Sequence, residues 1–139
     1  MPSADQLHPL FLHFPIALYG SGLFFDIISL RWHQHDFQKA GWWNLILGHV
    51  SAFFTILSGF IADDMMGHME LPFSPLKTHG FIALTAVLLL ILLTIPRWRH
   101  SGKLPPQLKS KSLWIGGQAV AVFILYYGAH LGAKLANRI

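Results

Sequence analysis

The stretch from Gly80 to Ile95, GFIALTAVLLLILLTI, carries no ionisable side chain, and its reading decides the fold. Extended by Thr78, His79 and Pro96, it reaches the roughly 20 residues needed to cross about 30 Å of hydrocarbon at 1.5 Å per helical residue. A helix of a soluble bundle would show a continuous polar face, and this one does not. The stretch therefore reads as a transmembrane helix.

Three more segments of the same kind flank it. From Pro9 to Leu30 the only charged or histidine side chains are His13 and Asp26, from Gly41 to Ile61 the only one is His49, and from Leu113 to Ala133 the only one is His130. The spans fall at about residues 8–31, 40–63, 77–97 and 112–135, so the sequence predicts an all-α, integral membrane four-helix bundle with up-down-up-down topology. There is no internal repeat, low-complexity tract or linker to divide residues 1–139, and one domain follows.

Composition closes several routes. The chain is 53% hydrophobic and has no cysteine, which excludes disulfides, cysteine-held iron–sulfur clusters and covalent c-type haem. Met1 to Gln6 lack a basic n-region, so the first span is not expected to be a removable signal. The net charge of +4 is distributed to suit membrane orientation rather than nucleic acid, which is not an expected partner. Seven of the ten Lys and Arg residues, Arg31, Lys39, Arg97, Arg99, Lys103, Lys109 and Lys111, lie in the loops after spans one and three. By the positive-inside rule those loops face the cytoplasm of a bacterial inner membrane, and both termini with the loop from Ala62 to Lys77 face the periplasm. Trp32, Trp42, Trp43, Trp98 and Trp114 are expected to anchor the cytoplasmic interface.

One histidine per span is the chemical signal, because an intramembrane ionisable group is costly unless it has a function or a partner. His13, His79 and His130 fall near the outer ends of three spans and are expected to form one layer. His49 lies 14 residues before Asp63, roughly 21 Å of helix at 1.5 Å per residue, and so near mid-membrane. His8, Asp63 and Asp64 sit at the outer surface above the same layer. Each intramembrane histidine shares a helical stripe with small residues: His13 with Ala17 and Gly20, His49 with Ala52 and Gly59, His79 with Ala83 and Ala86, and His130 with Gly116 and Ala119. Small residues let helices approach, so all four stripes are expected to face the bundle interior.

Several of these landmarks together resemble a known family. His8-Pro9-Leu10-Phe11-Leu12-His13-Phe14-Pro15, Phe25-Asp26, the Gly59 to Asp64 end of span two, Thr78-His79-Gly80 and Gly128-Ala129-His130-Leu131-Gly132-Ala133-Lys134-Leu135 look like the small bacterial membrane proteins grouped as domain of unknown function 2231. The likeness covers all four spans. It implies the same fold and respiratory or redox settings, and it singles out His8, His13, Asp26, Asp64, His79 and His130 without supplying a reaction. One departure is Gly132-Ala133-Lys134, where the family usually has glycine-glycine-glutamate.

Four chemistries suit such histidines. A b-type haem takes two imidazoles, and His13 with His79 on one diagonal are the expected axial pair, with His49 and His130 on the other and Phe14, Phe53, Phe81 and Phe123 against the ring. Such a protein would carry electrons from quinol to a periplasmic acceptor or a partner redox subunit. Zinc or copper would instead use His13, His79, His130 and His8 with Asp63 or Asp64. A proton or ion path would step from these histidines to Asp26. A structural subunit of a larger homo- or hetero-oligomeric complex would use the histidines as hydrogen bonds between helices. An independent enzyme has no support, since no Ser-His-Asp order, His-Glu-x-x-His or phosphate-binding glycine loop occurs.

Overall fold

The computed structural model describes the backbone of residues 4–66 and 79–135 and the side chains of 12–59, 79–107 and 109–134. Four helices make up the described chain: α1 (Ala4–Ile28), α2 (Gln34–Met66), α3 (His79–Arg99) and α4 (Leu108–Leu135). There is no strand among the described residues, and the all-α expectation holds. Gln34–Gly59, His79–Arg99 and Lys109–Lys134 are each long and apolar enough to cross a membrane, while the described apolar run of α1, Leu12–Ile28, is shorter.

The packing order follows from the contacts. Among the described residues, α1 packs most extensively on α2 and α3 on α4, α1 meets α4 less, α2 meets α3 least, and the backbones of the two diagonal pairs do not approach. Contacts rising along one helix fall along its neighbour: Gly22 lies on Asn44 and Gly48 on Tyr19, while Gly117 lies on Leu93 and Gly128 on Ala83. α1 is thus antiparallel to α2 and α3 to α4. Asp26 late in α1 meets Arg97 late in α3, so these two run parallel and the bundle goes up, down, up and down. We call the end holding Asp26 and Arg97 the basic end and the opposite one the histidine end.

Close approach is set by glycines that face a neighbour. A Cβ on Gly48 would lie 2.7 Å from the Tyr19 ring, and one on Gly128 would lie 3.2 Å from the Ala83 nitrogen. Without a hydrophobic driving force between helices in lipid, such dense packing and interhelical hydrogen bonds hold a bundle together. The middle of the core is filled by Tyr19, Leu45, Ala86, Leu90 and Ala121, all fully buried. Around it, large apolar side chains such as Phe24, Phe54, Leu92 and Phe123 face outward, as lipid-facing surface requires.

At the basic end, α3 closes through Ser101 (φ 53°) and Gly102 (φ 78°). The Gly102 N–H reaches back to the Arg97 carbonyl at 2.9 Å and the Ser101 N–H to Trp98 at 3.0 Å, the paired bonds of a Schellman cap. Glycine is needed at 102 because a Cβ would meet the Trp42 ring at 2.8 Å. Pro105 and Pro106 then keep the chain out of helix until α4 begins, as their fixed φ and missing N–H dictate.

Candidate functional site

The most elaborate polar cluster in the described chain lies at the basic end. Asp26 and Arg97, both buried, form a two-pronged pair at 2.6 and 2.9 Å. Two further guanidinium hydrogens go to backbone: Nε donates to the Gly102 carbonyl at 2.7 Å, and Nη2 also donates to the Gln38 carbonyl at 2.6 Å. Gln38 in turn accepts the Leu104 N–H on its side-chain oxygen at 3.1 Å, tying the loop down. The Arg97 cation lies 5.7 Å from the Trp42 ring and 4.9 Å from that of Trp114, within range of attraction to the ring faces. Trp114 is itself fixed by its indole N–H on the Leu93 carbonyl at 2.8 Å. From α4, Gln118 lies beside Asp26. Its fully buried amide makes no well-aligned hydrogen bond.

Two sequence expectations change here. Arg97, grouped by the sequence with the cations of the loop after span three, lies inside the bundle with its charge paired to Asp26. Trp42 and Trp114 turn inward to flank that cation, leaving Trp32, Trp43 and Trp98 exposed as interfacial anchors. The missed signal was periodicity: Arg97 continues the buried stripe of Ala86, Leu90 and Thr94 at helical spacing.

One turn deeper, His49 joins three helices. The Tyr19 hydroxyl lies 2.7 Å from Nδ1, and Nε2 lies 2.6 Å from the Thr94 hydroxyl oxygen, whose own proton goes to the Leu90 carbonyl at 2.7 Å. The direction of the Thr94 bond sets the tautomer: Nε2–H donates to Thr94, and Nδ1 accepts from Tyr19. Both ring nitrogens are engaged, so His49 acts as a neutral bridge between α1, α2 and α3.

The histidine end is arranged differently. His13 and His130 are exposed and His79 is half-buried, its ring 3.1 Å from where a Cβ on Gly132 would stand. At 3.6 residues per turn, His130 lies about 160° round α4 from Gly132, so His79 and His130 occupy opposite faces of that helix. His13 and His130, in contrast, flank one seam. Tyr126 of α4 reaches Gly20 and the Ile16 carbonyl of α1. His13 is about 20° and 60° round α1 from Gly20 and Ile16 and about two turns and one turn beyond them, His130 is about 40° round α4 from Tyr126 and about one turn beyond it, and both lie toward the same end, again at 3.6 residues per turn.

The expectation that all four histidine stripes face the interior is thus corrected for two of them. The His49 and His79 stripes turn in through Ala52 and Ala86, but Ala17, Phe24, Gly116, Phe123 and Tyr127 on the His13 and His130 stripes are exposed. A small residue marks a contact only where a neighbour is present; nothing lies within 4 Å of a Cβ on Gly116. Phe14, Phe53, Phe81 and Phe123 all face outward. Among the described residues no three His, Asp or Glu side chains gather as a metal site. The side chains of His8, Asp63 and Asp64 lie outside the described residues.

A closed bundle of long apolar helices with its buried charges paired is a helical membrane protein by construction. Residues 4–139 match the family model described as predicted membrane protein DUF2231, and the chain belongs to that family. No curated protein and no solved structure matches it.

Proposed function

We propose that the chain is a four-span protein of the bacterial inner membrane that holds a zinc or copper ion at the histidine end, with His13 and His130 as two of its ligands. The supporting observation is that both stand beside the α1–α4 seam that Tyr126 bridges, toward the same end of the bundle. Imidazoles on neighbouring helices suit a single ion, whereas a haem ring between two axial ligands needs helices held further apart. Zinc and copper take imidazole and carboxylate, so His8, Asp63 or Asp64, or a second copy of the chain, would complete the set. The exposed Arg31, Lys39, Arg99, Lys103 and Lys109 support a cytoplasmic basic end and periplasmic termini.

The second reading is a b haem serving electron transfer between quinol and a periplasmic redox partner. It is favoured by His79, which begins α3 on the helix diagonal to His13. Such a ring would have to open the packing of His79 on Gly132 and lie clear of the filled core. His49 stands outside both ligand sets because its nitrogens are committed to Tyr19 and Thr94. The test is metal analysis together with the dithionite-reduced visible spectrum of protein purified from haem- and metal-supplied cells. Stoichiometric zinc or copper without sharp α and β bands is the expected result. Those bands would transfer the site to haem, and folded protein with neither group would leave a structural subunit of a larger complex.

A further inference from the structure

On the outside of the bundle, between α2 and α3, a groove of about 320 Å³ is lined by His49, Ile91, Thr94, Ile95, Trp98 and Arg99. This is the least closely packed pair of neighbouring helices. The α3 residues fall at i, i+3, i+4, i+7 and i+8, one stripe about 12 Å long at 1.5 Å per residue, running toward the basic end. The volume reaches the lower range of small-molecule sites, about 300 Å³.

The chemistry changes along the groove. In its depth the polar atoms of His49 and Thr94 are turned to each other and to the Leu90 carbonyl, so the wall offers carbon and no spare donor. At its mouth stand Trp98 and Arg99, both exposed. The neighbouring Arg97 is neutralised by Asp26 on the other side of the helix, but Arg99 has no ion pair or hydrogen bond among the described residues. An apolar channel ending in an unneutralised guanidinium and an exposed indole at membrane-interface depth matches an acyl chain with an anionic head.

We propose that the α2–α3 groove is a seat for an anionic phospholipid, one acyl chain lying over Ile91 and Ile95 and the phosphate meeting Arg99. A quinone fits less well, because its carbonyls would find no free donor beside His49 and Thr94. The occupant is independent of whatever the histidine end binds, at the other end of the bundle.

The experiment is native mass spectrometry of the full chain released from mixed micelles containing equal dioleoylphosphatidylglycerol and dioleoylphosphatidylcholine. Wild type should retain the anionic lipid about fivefold over the zwitterionic one, the size expected for one basic side chain at an anionic surface. Arg99→Gln should bring the ratio to near one, Arg31→Gln should leave it unchanged, and Ile95→Trp should lower retention of both lipids by filling the groove. Equal retention by wild type, or an undiminished preference in Arg99→Gln, would overturn the proposal. So would displacement by inorganic phosphate alone, which would mean an anion site without a chain, or by a short-chain quinone, which would mean a ring site. Because Arg99 and Ile95 are both exposed, the two variants test the head and the chain without touching the core.

Discussion

The two ends of this bundle handle ionisable side chains in opposite ways. At the basic end Asp26 and Arg97 are withdrawn from their surroundings and satisfied by each other, by backbone carbonyls and by two indole rings. At the histidine end His13 and His130 are carried on outward faces, beside a seam rather than inside it. An ion pair buried in an apolar medium stabilises only when every hydrogen bond is met, and removing one partner leaves the other charge stranded. Asp26 and Arg97, paired with each other in the core, serve the fold, whereas His13 and His130 stand on outward faces that a ligand can reach.

The largest effect that could break this contrast is at the basic end. Asp26→Ala should destabilise the protein by about 3–5 kcal/mol, since Arg97 would remain buried without its counter-charge. Adding Arg97→Met should recover much of that loss, and unfolding in mixed detergent micelles measures both. Equal loss in the single and double variants would mean that the arginine acts through its cap and rings rather than through the pair. A smaller effect belongs to the His49 bridge. Tyr19→Phe deletes the hydroxyl that meets Nδ1 and should cost about 1–2 kcal/mol, one hydrogen bond with its stranded acceptor, by the same measurement. A loss as large as that of Asp26→Ala would move the structural centre of the molecule from the ion pair to the bridge.

The hydropathy of the sequence carried the helices and their order, because a segment that must satisfy its backbone in lipid has few alternatives to helix, and the histidine and glycine motifs carried the family. The rotation of each helix was less legible. His13 and His130 lie on stripes with small residues, the usual mark of an interface, yet Gly116 and Ala17 face outward, and it is Gly20, Gly48, Gly128 and Gly132 that make the contacts. Composition on one helix cannot say where the neighbouring helix stands. The pairing of Asp26 with Arg97 was hidden for a related reason: 71 residues separate them, and Arg97 at the edge of an apolar run looks like one more interfacial cation until its place on the stripe of Ala86, Leu90 and Thr94 is followed. His49 could be placed at mid-bundle from spacing, but its bond to Tyr19 depends on the register of α1 against α2, which only packing sets.

The division of labour between the two ends is tested most directly by measuring bound metal and thermal unfolding in the same samples of wild type and the double variant His13→Ala, His130→Ala. The double variant should lose its zinc or copper, while its metal-free form unfolds at the same temperature as metal-free wild type, because neither side chain is part of the buried core. Full retention of metal in the double variant would contradict the site. An unfolding temperature that falls as far as that of Asp26→Ala would show that these histidines hold the bundle together instead.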